Sequence, residues 1–169
     1  IPERHTTLGI TRYYARDFDR ALEEMQRALA ISPNYGPALF GSGRVLSAAG
    51  RHDDAIRSIR SAIDLSPNVE NPAWLAGLVI ALSRAGYAEQ VDEVMPRLRR
   101  LQDAGVFVSV DNFAYIAANQ GRFDEAKPYL HRAMELDPGQ TDPGANRARA
   151  ILLGISAAIA SVACSAKKR

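Results

Sequence analysis

Small and apolar residues fall at fixed intervals along this chain, and the intervals repeat. Gly9, Ala21, Ala28 and Pro33 stand 12, 7 and 5 residues apart, and the same marks recur 34 residues on at Gly43, Ala55, Ala62 and Pro67. Ala114, Ala126, Ala133 and Pro138 carry them a last time, while Val79, Val91, Leu98 and Asp103 keep the spacing without the small side chains. Self-similarity at such a period marks a repeat protein and takes precedence over element-by-element reading. Each repeat predicts two antiparallel helices. Small residues at the first two marks let the backbones approach where the helices cross, and the third mark serves the contact with the next repeat. The stretches RDFDRALEEMQRALAISP (16–33), GRHDDAIRSIRSAIDLSP (50–67) and GRFDEAKPYLHRAMELDP (121–138) read as the second helix of each pair. Gly50, Gly86 and Gly121 fall in the turn between helices, where a positive φ costs glycine little, and Arg16 stands where the first copy would place one. Asp53, Glu89 and Asp124 complement the positive end of the second helix, and the proline after it turns the chain.

The motifs LG at Leu8-Gly9, ALEEMQRAL from Ala21, AIRSIRSAI from Ala55 and FDEAKPYLHRAMELDP from Phe123 resemble the tetratricopeptide repeat. The family's leading tryptophan is missing at His5, Leu39 and Val110, and only Trp74 lies near that slot. The resemblance covers residues 2 to about 140 and implies an all-α, right-handed α-solenoid of four helix pairs. We place a solenoid at 1–140, with repeats at 2–35, 36–69, 72–105 and 107–140. Glu70-Asn71 and Val106 are insertions flanking the degenerate third repeat, whose valines and leucine should push its helices apart. Pro96 and Pro128 lie inside second helices and should kink them mildly.

Residues 141–169 read as a linker followed by a C-terminal helix with a basic tail. Ala148, Ile151, Leu152, Ile155, Ile159, Val162 and Ala163 fall at helical spacing, and a solenoid needs such a helix to cover its last repeat. Two other uses of the tail are open. The apolar run 150–166 falls just short of a membrane span and contains three serines, and its small residues Gly154, Ser156, Ala157 and Ala160 would allow a homo-oligomer contact.

Composition narrows the function by exclusion. With 21 Lys plus Arg against 19 Asp plus Glu, the net charge of +2 gives no whole-molecule field for nucleic acid or anionic membrane. The cluster Arg97, Arg99, Arg100 is diluted by Asp92, Glu93 and Asp103 and lacks interleaved aromatics, so it reads as a solvated helix face. The single cysteine, Cys164, excludes an intrachain disulfide and fits a reducing compartment, so a cytoplasmic location is favoured. A periplasmic one stays open, because the chain begins on Ile1-Pro2 and reads as a processed chain or an excerpt. The arginine- and alanine-rich style looks bacterial. His5, His52 and His131 are scattered over three repeats with no second His or Cys at ligand spacing, so no metal or other cofactor is expected. No phosphate loop and no activated nucleophile occur, and the chain reads as non-catalytic.

The concave surface remains. In the resembled family the first helix of each repeat lines a groove, which implies candidate partner contacts at Tyr13, Tyr14, Phe40, Arg44, Ile80, Arg84, Asp111, Tyr115 and Asn119, with Thr6, Ile10, Ser47, Ala76, Ser83 and Ala118 between them. The expected function is a scaffold or adaptor taking a peptide or helical segment of a protein partner. Aromatic anchors would supply the contact area, with Arg44 and Arg84 beside them. The co-chaperone subtype's carboxylate clamp cannot form, because its positions hold Thr6, Ile10, Gly41, Ala73 and Gly77, or in the next register Phe40, Arg44, Gly77, Val108 and Asn112. Two alternatives differ in class: a regulatory or substrate-presenting segment of a larger enzyme or transcription regulator, and an assembly or secretion factor tethered to a membrane by its apolar C-terminal helix.

Overall fold

The computed structural model describes residues 1–66 and 70–106, together with 113, 116, 117, 122, 124–128 and 131. The chain forms two compact units, Ile1–Phe107 and Val108–Arg169. Among the described residues every regular element is a helix. The first unit holds six: α1 (Pro2–Tyr14), α2 (Phe18–Ile31), α3 (Gly36–Ala48), α4 (His52–Asp64), α5 (Pro72–Ala85) and α6 (Ala88–Asp103).

Local sequence sets where these helices start and stop. A proline in the first turn opens α1, α3 and α5, where its missing N–H would have had no intrahelical partner. Asp17 caps α2 by accepting from Arg20 N at 3.4 Å, and Asn71 caps α5 by accepting from Ala73 N and Trp74 N at 3.0 and 3.3 Å. Between the helices of each pair the chain passes through one residue of positive φ: Gly50 at 82°, Gly86 at 81°, and Arg16 at 61° in the first. Arg16 is the one described side chain held in that conformation. Pro96 lies inside α6 without ending it.

The marks are the core. Ala21, Ala28, Ala55, Ala62, Val79 and Leu98 are fully buried, with Val91 nearly so. Glycine at the first mark is required by approach to backbone. A Cβ on Gly9 would lie 3.1 Å from the Ala21 carbonyl oxygen, and one on Gly43 would lie 3.0 Å from that of Ala55. The Met25 thioether fills the space that Gly9 and Gly41 leave open, with its methyl 2.8 and 2.6 Å from where their Cβ atoms would stand. It packs with Ala28 and Ala38 against Ile10, Leu29 and Tyr35. In the third pair, where Val79 and Val91 replace the small residues, α5 and α6 meet through fewer residues than α1 with α2 or α3 with α4. That is the expected consequence of β-branched side chains at a crossing.

The helices pack in sequence, each on the next, as in a solenoid. The first helices also approach one another closely, α1 on α3 and α3 on α5, whereas among α2, α4 and α6 the backbones stay apart and α4 reaches α6 through side chains such as Arg60 and Gln90. The first helices of this unit therefore form one continuous layer and the second helices stand apart outside it. Three polar ties cross between repeats: Tyr87 Oη donates to Asp53 Oδ1 at 2.8 Å, Arg60 to Gln90 at 2.8 Å, and Arg97 pairs with Glu70 at 2.6 Å.

In the second unit Phe113, Ile116, Ala117 and Ala126 are buried, and Ala126 is again a mark. Arg122 pairs with Glu125 at 2.6 Å and Lys127 with Asp124 at 2.9 Å. The expected boundaries of the fourth repeat, the linker and the C-terminal helix lie outside the described residues, as does the run 150–166. Among the described residues no helix is long and apolar enough to cross a membrane.

Candidate functional site

The layer of first helices carries an aromatic stripe with a cation set into it. Tyr13 and Tyr14 end α1 and meet edge to face, with centroids 5.3 Å apart. Tyr13 also touches Phe18 at the start of α2, at 6.1 Å. From α3, Arg44 reaches back to these rings. Its guanidinium carbon lies 4.8 Å from the Tyr13 centroid, 5.8 Å from that of Tyr14 and 6.0 Å from that of Phe40 on its own helix. It also makes a long hydrogen bond of 3.5 Å to Tyr14 Oη. Each such cation–ring contact contributes about 0.5–1 kcal/mol at an exposed site and more where water is excluded. Desolvation works against the Arg44 charge, but the Tyr14 hydroxyl and the Tyr13 ring outweigh it and hold its pKa above the ordinary arginine value.

Phe40 continues the stripe. Its ring stacks on Trp74 of α5 at 6.0 Å and 28°. Glycines make the room: a Cβ on Gly77 would come 2.5 Å from Phe40 Cε2, and one on Gly36 would come 2.6 Å from Trp74 Cη2. Tyr14, Tyr13, Arg44, Phe40 and Trp74 thus run side by side across α1, α3 and α5. Tyr14 is 52% exposed, so the stripe opens to solvent at that end, and the other members are half-buried.

On α5, Ile80 is half-buried and Arg84 exposed. Arg84 Nη1 donates to the Ser47 carbonyl at 3.2 Å and to its hydroxyl at 3.4 Å, holding the guanidinium against the C-terminal end of α3. A cation there complements the negative end of the helix dipole. The structure therefore brings Tyr13, Tyr14, Phe40 and Arg44 into contact and places Ile80 and Arg84 on the adjoining helix. Asp111, Tyr115 and Asn119 lie outside the described residues. Thr6, Ser47 and Ala76 are buried, with the Thr6 hydroxyl turned back to Pro2 O at 2.9 Å, so they form the floor of this layer rather than its surface.

Two features escaped the sequence reading. Trp74 was visible only as a tryptophan near the family's slot, and its stacking on Phe40 requires knowing which faces of α3 and α5 meet. Glu24, 4% exposed, meets His5 Nδ1 at 2.7 Å and Arg27 at 2.6 Å. The His5 hydrogen bond, against the opposing effect of burial, holds the Glu24 carboxyl below the ordinary range. On the outer helices Arg51 likewise depresses Asp54, and the hydrogen bond to Asp53 raises the Tyr87 phenol. The His5–Glu24 pair ties α1 to α2, and the Tyr87–Asp53 pair ties adjacent repeats. Among the described residues no three His, Cys, Asp or Glu side chains converge to hold a metal ion.

Comparison with known proteins agrees with the geometry. Residues 6–70 match the tetratricopeptide repeat and residues 110–140 match it again, together more than half of the chain. The chain is 34% identical over 64 residues, 38% of its length, to superkiller protein 3 of Schizosaccharomyces pombe. It is 23% identical over 122 residues, 72% of its length, to tetratricopeptide repeat protein 28 of Homo sapiens. The matched segment spans only 5% of the length of either relative. With a 34-residue period, paired helices crossing on small residues and a layer of first helices, the chain belongs to the tetratricopeptide repeat family, whose repeats are protein–protein interaction modules.

Proposed function

We propose that this protein is a non-catalytic scaffold that takes an extended or helical segment of a protein partner on the α1–α3–α5 layer. The observation that supports this most is the unbroken row Tyr14–Tyr13–Arg44–Phe40–Trp74, contributed by three successive first helices. Aromatic side chains and arginine are the residues that dominate binding energy at protein interfaces: the aromatics bury large area for two frozen rotors, and arginine brings a planar set of donors. Here the rings and the guanidinium already hold one another in place, so less ordering entropy is lost when a partner docks. Ile80 and Arg84 extend the surface along α5. The candidates Asp111, Tyr115 and Asn119 lie outside the described residues.

A photo-crosslinking amino acid placed at Tyr14 or Ile80 should capture a discrete partner in cells expressing the chain. The same group at Arg57, whose side chain is 71% exposed on the outer helix α4, should not. Capture from Arg57 alone, or equally from all three positions, would move the binding surface off the first helices.

A further inference from the structure

The aromatic row offers ring faces and hydrogen-bond donors but few acceptors. Tyr14 Oη accepts from Arg44, which leaves its own hydrogen to donate elsewhere. The rings engage the face and charge of the Arg44 guanidinium, which gives one N–H to Tyr14 and keeps others. Trp74 enters the slot at Gly36 by its benzo edge, with Cη2, Cζ2 and Cζ3 nearest, and its indole N–H makes no hydrogen bond among the described residues. Acceptors are scarce by comparison. Helices α1, α3 and α5 contain no Asp, Asn or Gln and a single Glu, Glu3, at the opposite end of α1 from Tyr14. The carboxylate nearest to Tyr14 in sequence, Asp17, is committed to the N-cap of α2 and to Arg12 and Arg20, both at 3.6 Å.

We infer that the segment taken by this layer is proline-rich and lies in the polyproline II conformation, its pyrrolidine rings against the aromatic row and its carbonyls on Tyr14, Arg44 and Trp74. The inference rests on the reading of the α1–α3–α5 layer as the binding surface and adds the chemistry of the occupant. A surface with donors and few acceptors suits a ligand with the reverse. A polyproline II segment has that pattern, because its carbonyls make no internal hydrogen bonds and each proline lacks an N–H. A β-strand would bring N–H groups for which the row has no acceptor, and burying them unpaired costs free energy. An α-helix would leave the donors of the row idle, since its carbonyls are bonded within the helix. A polyproline II segment is also shaped before it binds, so little ordering entropy is lost, and aromatic-lined grooves are the surfaces it fits. The spacing agrees: successive members of the row stand 5.3, 4.8, 6.0 and 6.0 Å apart, and two such steps are on the scale of one polyproline turn, about 9 Å. Charge points the same way. The one cation in the row already faces three rings and a phenol, which leaves a neutral segment better matched to it than an acidic one.

A random peptide library displayed on phage and selected on the intact chain tests this. The recovered peptides are then synthesised and titrated by fluorescence anisotropy against the native protein and its Y14A, Y14F and W74F variants, each checked for unchanged helicity. The recovered sequences should be rich in proline, and their affinity should hold as salt is raised, because no ion pair carries it. Y14A should weaken them about tenfold, the loss of one aromatic anchor. Y14F and W74F keep a ring and lose a donor, and each should weaken them about fivefold, the worth of one neutral hydrogen bond. Because Tyr14 is exposed, Y14F reports even where W74F loosens the packing on Gly36. Acidic peptides that lose affinity in salt, or peptides that turn helical on binding, would overturn the proline-rich occupant while leaving the surface standing if Y14A weakens them. Proline-rich peptides indifferent to all three variants, or no enrichment at all, would overturn the surface and the inference with it.

Discussion

Gly43→Ala puts the proposed reason for the repeat's small residues to a direct test. In an isolated helix the change should help, since alanine is about 1 kcal/mol more favourable than glycine in a helix interior. Here the added methyl has nowhere to go. It would stand 3.0 Å from the Ala55 carbonyl oxygen and closer still to Ile59 Cγ1, which belongs to a β-branched side chain only 1% exposed. The Ala55 carbonyl belongs to the backbone of the first turn of α4 and moves only if that helix shifts, and Cγ1 of isoleucine cannot swing away as a thioether can. Overpacking of this kind costs about 1–3 kcal/mol, and contact with backbone puts this site in the upper part of that range. The net expectation is a loss of about 1–2 kcal/mol despite better helix propensity. Gly41→Ala is the matched control on the same helix. The three atoms nearest its methyl would all belong to Met25, which has several rotatable bonds, so its cost should stay below that of Gly43→Ala. Urea unfolding followed by circular dichroism reads both, as a lower midpoint at unchanged slope. If Gly43→Ala proved as stable as the native chain, or the two variants were equivalent, close backbone approach would not be the reason for glycine at this mark.

Two further substitutions address charge and backbone. Arg16→Gly should raise stability by about 0.5–1 kcal/mol, because relief of the left-handed conformation, φ 61°, exceeds the loss of the cation over Phe18 at 5.8 Å; an unchanged or lower melting temperature would contradict this. Glu24→Gln should change the pH dependence of stability. The folded Glu24 pKa is depressed, so its contribution is whole above the ordinary value of 4.5 and is lost as pH falls through the depressed one. The gap in urea midpoint between the native chain and E24Q should therefore narrow below that value, and a gap constant from neutral pH to pH 3 would refute the assignment.

The fold was legible because its constraint is local and periodic. Ala21, Ala28, Ala55 and Ala62 sit where a larger side chain would separate two helices, so the sequence displays the packing as a ruler, and all four are fully buried. Even the missing glycine was readable: Arg16 occupies the turn slot and adopts the positive φ that the slot imposes. The site was legible only in part. Tyr13, Tyr14, Phe40 and Arg44 share a layer, and this follows from the order of helices. That Arg44 points back to α1 rather than outward, and that Trp74 slides over Gly36 to meet Phe40, depends on how far neighbouring first helices approach. That distance is set by pairs 30 or more residues apart. The His5–Glu24 pair was hidden for the same reason, since an isolated Glu in a run of helix formers reads as surface until its facing helix is known.

The division of labour between helices follows from this packing. A second helix touches its own partner and the next first helix, so its buried face is fixed by the small marks and its outer face is solvated and carries ion pairs such as Arg51–Asp54 and Arg57–Asp54. A first helix packs against two second helices and also against its counterparts in adjacent repeats, which crowds its flanks. Glycines at Gly36, Gly41, Gly43 and Gly77 relieve the crowding, and each leaves a slot that a neighbouring side chain enters. Where the entering side chain is Met25 or Ile59 the slot closes into core. Where it is Phe40 or Trp74 the ring is wider than the slot and stays half outside, stacked on the next ring. The aromatic row thus arises as a by-product of close helix approach on the inner layer, and the outer helices, whose backbones do not approach one another, meet through long polar side chains such as Arg60 and Gln90 instead. The row of rings on the first helices is in this sense a consequence of the repeat's geometry, while the particular cation set into it is what this sequence adds.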